Sequence, residues 1–449
     1  MATRPKYTYP PRLPLLRFFK NAEAIRKNPI PFHRDFFNKY GDSFSVKLGR
    51  TKHLILSRDK EVVQHILKKQ HKNYYKSNIQ TNYLSKYLGF GLLTINGDFW
   101  LKQRRLIQPA FHKEKMQGLI RLMQQTIKEE LSALPTNATV DAYPIMNHLA
   151  FKIVANSLFD ISIEEVTLTR LQLIIEKIQH FLVKEVRLPH KGWWFKVSGQ
   201  IARHKKLAHE SREIIQQIIE QRKHSDDQFD DLLDLLLATR YEDTGEPMSM
   251  RQLIDEITIL FVAGHETTAN ALSFTLHLLA KHPKAANTIF EEVTALEKQY
   301  DQPADRLPKM EYTKACLEES MRLFPPAWIT DRENLEDDQL AGYHIKTDTL
   351  VGVSFYELHR NPAYWDKPDD FIPERFLGDA RKQTSGIYFP FGAGPRMCIG
   401  MGFAMYEMML AIGHIVSRYE LETTQDSIEL LPLITLKPKA VHLKFIPRT

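Results

Sequence analysis

The segment Phe391–Gly400 places one cysteine, Cys398, in a glycine-punctuated turn directly ahead of an apolar run. A thiolate is a nucleophile and a metal ligand, and its negative charge is stabilised by backbone N–H donors. The first turn of a helix supplies unpaired donors and a positive dipole end, and the pattern predicts a helix that begins near Ile399. This arrangement favours a cysteine presented to an iron. A buried structural cysteine in a loop is the alternative.

Neighbouring residues in this turn suit a haem. Gly392 and Gly394 permit turn geometries that a β-carbon would obstruct, and Gly400 lets the predicted helix lie close to a flat macrocycle. Arg396 is placed to pair with a propionate, for which a guanidinium fork is suited. The turn therefore predicts a haem-thiolate site.

The same segment matches Phe-Gly-x-Gly-x-Arg-x-Cys-x-Gly at every fixed position, and the chain thereby resembles the cytochrome P-450 family. The resemblance implies haem b, iron protoporphyrin IX, with Cys398 as the axial thiolate and with Phe391, Arg396 and Gly400 against the cofactor. It also implies a mainly α fold with small β-sheets. In that fold the haem lies between a long distal helix and a proximal cysteine loop and helix.

A long helix is predicted upstream. Ser249–Gln252 has the pattern of a capping box, apolar residues then recur at helical spacing to about Lys281, and His282-Pro283 ends the run. About thirty residues at roughly 1.5 Å each give a rod of roughly 45 Å. The resemblance implies that this helix crosses the distal face of the haem.

Inside that helix, Ala263–Thr268 matches the family's oxygen-activation motif. Gly264 would leave room for dioxygen, and the Thr267 hydroxyl can bond to a carbonyl of the preceding turn. The resemblance implies that Glu266 and Thr267 relay protons and that Ala263 touches the haem. A zinc protease is excluded, because His-Glu-x-x-His would need histidine where Ala269 stands.

Two further pairs have helical spacing. Trp100 and Arg104 are four residues apart, so an indole N–H and a guanidinium can reach one propionate. Glu319 and Arg322 are three apart and, with Arg375, resemble the family's buried Glu-Arg-Arg cluster that fixes the cysteine loop. An amphipathic surface helix is the alternative for the first pair. Relatives often carry a second propionate arginine soon after Pro325-Pro326, but here Arg332 comes late, and it is not included among the predicted haem contacts.

Composition limits the classes of function. Hydrophobic residues make up 43% of the chain and charged residues 26%, which suits a globular protein with a sizeable core. The net charge of +7 is scattered and accompanies no nucleic-acid motif, so no nucleic-acid partner is expected. Only Cys316 and Cys398 occur, which predicts no disulfide framework and a reducing cytoplasm.

The sequence predicts one haem domain over residues 1–449. A β-rich part covers about 35–95, an α-rich bulk about 96–420 and a β-like tail about 430–449. The N-terminus lacks the apolar length of a membrane span, so neither an anchor nor a signal peptide is expected. The chain looks like a soluble bacterial member without a fused reductase, and a monomer.

The first hypothesis is a monooxygenase that hydroxylates a hydrophobic substrate, with electrons from a separate ferredoxin or flavodoxin and its reductase. Basic residues on or after the Trp100 helix are candidates for the docking face: Lys102, Arg105, Lys113 and Lys115. Peroxide-driven peroxygenase or isomerase chemistry is one alternative. A haem sensor without turnover is another. Because Glu266 and Thr267 are present, both rank below the first.

The substrate is expected to be apolar, because most of the candidate lining residues are apolar. They are Trp328, Ile329 and Thr330, then Ile259, Phe261, Val262 and Ala263, and the loop 78–93. Short fragments resemble carotenoid-ring hydroxylases and others fatty-acid hydroxylases. Trp193 and Trp194, with Phe195, predict either packing aromatics or a peripheral membrane contact.

Overall fold

A computed structural model of the chain describes residues 7–14, 20–48, 52–112, 115–160, 163–225 and 231–448. Helices predominate, which confirms the predicted mainly α class. The helices are α1 Ala22–Lys27, α2 Ile30–Tyr40, α3 Lys60–Gln64, α4 Ser85–Leu88, α5 Gly97–Ile107, α6 Met116–Glu130, α7 Ala142–Phe159, α8 Glu165–Arg187, α9 Gly192–Val197, α10 Gln200–Lys223, α11 Leu232–Ala238, α12 Met250–Lys281, α13 Pro283–Gln299, α14 Pro303–Arg306, α15 Glu311–Leu323, α16 Phe355–Leu358, α17 Ala380–Gln383 and α18 Met401–Arg418.

The strands form small sheets. They are β1 Ser43–Leu48, β2 Lys52–Ser57, β3 Tyr74–Tyr75, β4 Thr139–Asp141, β5 Ile329–Asn334, β6 Asp338–Leu340, β7 Tyr343–Ile345, β8 Leu350–Ser354, β9 Tyr419–Glu422, β10 Leu430–Pro432, β11 Leu436–Pro438 and β12 His442–Pro447. Short 3₁₀ and π turns join many of these elements, including one 3₁₀ turn at Gly394–Arg396. The predicted strands near Asp42–Leu48 and His53–Ser57 are confirmed as an antiparallel pair.

The chain forms two compact units. One comprises residues 1–77, 318–398 and 430–439, and the other comprises 78–317, 399–429 and 440–449. The first unit contains a five-stranded sheet in the order β1-β2-β8-β5-β3, in which only β2 and β8 run parallel. The second unit contains most of the helices and the sheet β4-β12-β9. Among the described residues, no helix has the length and apolar character to cross a bilayer.

The long helix α12 contains 32 residues and has the predicted start and end. The Ser249 hydroxyl caps it by accepting the Gln252 N–H at 3.2 Å, and His282 follows its last residue, Lys281. Most of its side chains are buried, and α7 packs along it. The helix α12 is buried on nearly every side. Its apolar residues therefore cover more of its surface than the single apolar stripe of a surface helix.

A buried ion cluster in the first unit joins α15 to the segments that follow. Arg322 and Glu319 are both fully buried and pair through two hydrogen bonds of 2.7 and 2.8 Å. Arg375 Nε donates to the same carboxylate at 3.4 Å. The predicted Glu-Arg-Arg cluster is therefore confirmed, and removal of one partner would leave an uncompensated charge at a cost of about 3–5 kcal/mol.

The remaining donors of Arg322 bind main-chain carbonyls from distant parts of the sequence. They reach His359 O at 2.8 Å, Pro368 O at 2.7 Å and Asp370 O at 2.9 Å. A lysine could not replace this fork, because its ammonium lacks the fixed planar geometry. Arg322 therefore sets the course of the chain between β8 and the cysteine turn.

His359 continues the connection. Its buried imidazole accepts the N–H of Phe389 at Nε2, at 2.9 Å, and the Phe389 carbonyl accepts the N–H of Gly392 at 3.1 Å. Burial, and then the charges of Arg322 and Arg360, hold the pKa of His359 well below 6.5. The ring is therefore neutral, as an acceptor at Nε2 requires.

We expect His359 to make folding stability depend on pH. The folded state keeps this ring neutral, so stability falls as the pH drops below about 6.5, where the unfolded chain takes up the proton. In His359→Gln, whose amide oxygen can still accept the Phe389 N–H, this contribution disappears. Between about pH 6 and about pH 5 the unfolding free energy of the wild type should fall by about 1.4 kcal/mol per pH unit more steeply than that of the variant.

Urea unfolding of both proteins at several pH values measures this difference. At higher pH the two curves should differ only by a constant offset. Parallel curves through the acid range would show that His359 binds its proton in the folded state.

Candidate functional site

The cysteine turn is closed by its own backbone. The Cys398 N–H donates to Phe391 O at 3.0 Å, and the Met397 N–H donates to Gly394 O at 3.0 Å. The Cys398 side chain is exposed, whereas the other cysteine, Cys316, is buried. The turn therefore presents a thiol at the surface of the first unit on a fixed backbone.

Gly394 fixes this turn against the segment His65–Lys69. A β-carbon at Gly394 would stand 1.8 Å from Leu67 O, and its φ of +69° is a left-handed value. Gly392 has a similar φ of +74°, but a β-carbon there would meet nothing within 4 Å. The two positions thus require glycine for different reasons. Gly392 allows the turn of the chain, and Gly394 allows both the turn and the close approach of the Leu67 backbone.

Two arginines of the first unit lie close enough to repel each other. Arg332 is buried on β5, and burial lowers its pKa to about 10. Burial, and then the charge of Arg332, lower the pKa of Arg396 to about 10 as well. The Arg332 guanidinium donates only to uncharged groups among the described contacts: the Thr330 hydroxyl at 3.1 Å and Asp331 O at 2.6 Å.

Two partly desolvated cations side by side suit an anionic ligand. A haem carries two propionates, so this pair has the charge that the predicted cofactor needs. The sequence does not predict a haem contact for Arg332, because its distance from Pro325-Pro326 is long. Residues two apart in a strand lie on the same face of the sheet, so a position further along β5 can share a face with one nearer to Pro326.

The helix α12 has one accessible face in an otherwise buried length. Val262, Ala263, Glu266 and Thr267 are exposed or half-buried, while residues 253–259 and 268–279 are buried throughout. The spacing i, i+1, i+4, i+5 puts all four on one side of the helix. The predicted catalytic pair and the predicted contact Ala263 therefore share one solvent-accessible stripe.

Glu266 is held by a residue that the sequence did not predict. Gln179 on α8 donates from Nε2 to Glu266 Oε2 at 2.8 Å. The buried phenol of Tyr143 is also near, since the charge of Glu266 contributes, after burial, to raising the Tyr143 pKa. The sequence gives no signal for a hydrogen bond between side chains so far apart in the chain, because any polar residue of α8 could be the partner of Glu266.

The two threonines of α12 bond back to their own helix. Thr267 donates to Ala263 O at 2.8 Å, as predicted, and Thr268 donates to Gly264 O at 3.0 Å. Behind Thr268 lies Glu407 of α18, a fully buried carboxyl whose pKa burial raises well above 4.5. Burial thus favours the uncharged form of Glu407, a residue that the sequence did not predict.

Two predicted roles are corrected. A β-carbon on Gly264 would point at Val154 of α7, at 3.0 Å, so its missing side chain permits close packing of the two helices. Phe261 is fully buried between Phe151 and Phe159, with ring centroids 5.2 and 5.6 Å away, so it belongs to the core. Neither residue faces the accessible stripe of α12.

Other substrate-lining predictions are more mixed. Ile259 is buried in an apolar cluster with Leu84, Tyr87 and Phe181, while Leu93 and Val262 pack against that cluster and stay half-buried. Trp328 in the first unit is buried, and its indole donates to Leu433 O at 3.1 Å. His265 is buried too, with Nδ1 2.8 Å from Phe261 O.

Helix α5 contains the predicted Trp100 and Arg104 pair. Trp100 is buried, and Arg104 Nε donates to Gln108 at 3.2 Å. The predicted basic docking face is weaker than the sequence indicated, because Lys102 lies 2.8 Å from Asp243 and Arg105 4.0 Å from Glu242. Lys115 is exposed, and Lys113 lies outside the described residues.

Comparison with known proteins agrees with this geometry. The family model described as Cytochrome P450 matches residues 8–445. Cyclooctatin synthase of Streptomyces melanosporofaciens is 30% identical over 95% of this chain and 93% of its own length. Cyclooctat-9-en-7-ol 5-monooxygenase of the same organism is 28% identical over 92% and 89%. The solved cytochrome P450DA heme domain superposes with a TM-score of 0.86 at 23% identity, over 99% of both chains.

The two glycines of the cysteine turn allow a matched test. Gly392→Ala should cost about 1–3 kcal/mol of unfolding free energy from its left-handed φ alone. Gly394→Ala adds the contact with Leu67 O, which is main chain and cannot rotate away. We expect it to destabilise the protein more than Gly392→Ala and to lower the haem content of the purified protein. Denaturant unfolding and pyridine haemochrome absorbance measure both quantities, and equal effects of the two variants would contradict the packing role of Gly394.

Proposed function

Because the chain belongs to the cytochrome P450 family, whose monooxygenases carry haem with a cysteine thiolate ligand, we propose that Cys398 ligates the haem iron here. The observation that supports this most directly is the fixed turn that leaves Cys398 exposed. When bound, the haem supplies the activation of dioxygen and the transfer of one oxygen atom into a C–H bond. The protein supplies ligation, orientation and proton delivery.

We assign the binding of the haem propionates to four residues. Arg332 and Arg396 supply the paired cations, and their mutual repulsion is relieved when carboxylates lie beside them. Trp100 and Arg104 add an indole and a guanidinium from α5. We also assign packing against the haem to Phe391, Gly400 and Ala263. The first two lie on either side of Cys398 in the sequence, and Ala263 lies on the accessible stripe of α12.

Proton delivery is assigned to Glu266 and Thr267. The Glu266 carboxyl can take a proton from solvent and pass it on, and the Thr267 hydroxyl can donate while it accepts. Gln179 holds one oxygen of that carboxyl by a hydrogen bond of 2.8 Å, which fixes the orientation of the acid. Gln179 is thus a positioning residue and not itself a donor of transferable protons.

The substrate proposed is a hydrophobic terpenoid. The relatives named for cyclooctatin and cyclooctat-9-en-7-ol modify terpenoids, and the half-buried Leu93 and Val262 border an apolar cluster in this chain. A fatty acid would suit an apolar wall equally, but it needs a partner for its carboxylate. The relatives therefore favour the terpenoid.

Electrons are proposed to come from a separate ferredoxin or flavodoxin with its reductase. Two of the four cations predicted to dock it, Lys102 and Arg105, lie beside carboxylates, whereas no carboxylate is recorded beside the exposed Lys115 within the described residues. The proposal includes a monomer in a reducing cytoplasm, where both cysteines would remain thiols.

The first test is ligation. Haem-loaded protein reduced under carbon monoxide should show a strongly red-shifted Soret band, because a thiolate donates electron density to the iron. Cys398→Ser should lose this band. Cys316→Ser, which changes the other thiol, should keep it. A red-shifted band that survives in Cys398→Ser would refute ligation by Cys398.

Proton delivery gives a second test, with a surrogate ferredoxin or flavodoxin system and a turned-over terpenoid. Glu266→Gln should lower the rate of product formation about 10²-fold or more, since a general acid contributes about 10²–10⁴-fold. Gln179→Leu should raise the fraction of consumed dioxygen that is released as hydrogen peroxide, because the acid is no longer held in place. The carbon monoxide band should not change in either variant.

Gln172→Leu is the matched control. Gln172 lies on the same helix but donates to Asn147 and Glu176, both at 3.4 Å, and not to Glu266. Equal peroxide release from Gln172→Leu and Gln179→Leu would rule out a specific role for Gln179. Full turnover with hydrogen peroxide alone would instead support the peroxygenase alternative.

A further inference from the structure

The short helix α9 carries a surface that the proposed function does not use. Trp193 is 67% exposed, Trp194 49% and Val197 74%, whereas Phe195 is 5% exposed. Trp193 and Val197 are four residues apart, so they share one helical face. A six-residue helix that exposes two tryptophans is unusual, because large aromatics stabilise a fold only when they are covered.

This exposure is not the result of loose packing. The Phe195 ring meets Phe181 edge-on, with centroids 5.5 Å apart and planes at 74°. Phe195 belongs to an apolar cluster that includes Ile178 and Ile259. One aromatic residue therefore anchors α9 to the core of its unit and holds the two tryptophans outward.

The surroundings of α9 are positively charged. Residues 184–206 contain seven lysines and arginines and a single acid, Glu185. Glu185 is 4% exposed, and its carboxylate accepts the Tyr87 hydroxyl at 2.8 Å and is paired with Lys86. Six of the cations are exposed: Lys184, Lys191, Lys196, Arg203, Lys205 and Lys206. The solvent-facing charge of this stretch is therefore entirely basic.

We propose that this surface, defined as Trp193, Trp194 and Val197 with the six exposed cations and called the α9 surface, binds peripherally to an anionic lipid bilayer. Tryptophan prefers the boundary between headgroups and acyl chains, where its ring is apolar and its N–H is hydrated. Lysine and arginine around it are attracted to the negative surface potential of anionic lipid. The exposed apolar side chains of α9 and the exposed cations that flank them in the sequence thus match the two layers of one bilayer face.

A second copy of this chain fits the α9 surface poorly. Two copies that met through α9 would bring the Lys191 and Lys196 of each copy together, with no exposed acid between residues 184 and 206 to oppose them. An anionic bilayer opposes every one of them. Charge complementarity therefore selects the lipid surface.

The proposal can be tested with the haem-loaded protein and vesicles, independently of turnover. The protein should float with vesicles of phosphatidylcholine that contain about one third phosphatidylserine, and much less with pure phosphatidylcholine. Lipids brominated near the headgroup should quench tryptophan fluorescence, since Trp100, Trp328 and Trp365 are buried.

Two variants separate the apolar and electrostatic parts. Trp193→Ser combined with Trp194→Ser should abolish the quenching and reduce vesicle binding at least tenfold. Lys191→Glu combined with Lys196→Glu should weaken binding to anionic vesicles more than tenfold, because loss of each lysine alone weakens it about fivefold. The carbon monoxide band should be unchanged in both, which shows that they fold.

Matched controls change similar residues elsewhere. Val166→Ser removes an apolar side chain that is 78% exposed on α8, and Lys284→Glu with Lys298→Glu reverses two exposed charges on α13. Neither should affect vesicle binding beyond twofold. Absence of wild-type binding to anionic vesicles, equal loss in the controls, or self-association that Trp193→Ser with Trp194→Ser abolishes would each overturn the proposal.

Discussion

Arg322 lies inside its unit with none of its side chain exposed, and all five of its N–H groups are used. A buried guanidinium is tolerated only when its charge is opposed and every donor is satisfied. Glu319 opposes the charge, and three carbonyls from residues 359–370 satisfy the remaining donors. The chain after β8 must therefore follow one path, and the neutral His359 ring passes that constraint to Phe389 at the entrance of the cysteine turn.

The cysteine turn depends on this constraint because its own hydrogen bonds are few. Two backbone bonds close it, and Gly394 fits against Leu67 O with no room for a side chain. A thiolate ligand has to stand at a fixed place to accept an iron, and pre-organisation of that kind comes from supporting residues. The ion cluster, the histidine and the glycine are such support, and none of them needs to touch the haem.

The helix α12 is mostly part of the buried core of its unit, and it also carries the proposed catalytic pair. Residues 253–259 and 268–279 are buried throughout, and between them Val262, Ala263, Glu266 and Thr267 form the accessible stripe. The threonine hydroxyls are satisfied within the helix, so these polar groups cost little where the helix is buried. Gln179 satisfies part of the carboxyl from α8, which makes the position of the acid depend on the packing of two helices.

The sequence by itself determined the cysteine turn, the capped helix with its acid-alcohol pair, the Glu-Arg-Arg cluster and the mainly α class. Each of these is a local pattern, in which the residues lie within a few turns of one another or match a signature of fixed spacing. It did not determine Arg332 beside Arg396, Gln179 on Glu266, Glu407 behind Thr268, or the packing roles of Gly264 and Phe261. Those contacts join residues that are far apart in the chain, and only tertiary packing decides which side chains then meet. The cations near Trp193 could be read from the sequence. Whether the tryptophans of α9 are buried or exposed could not, because it depends on the packing of Phe195, the α9 residue that enters the apolar core cluster.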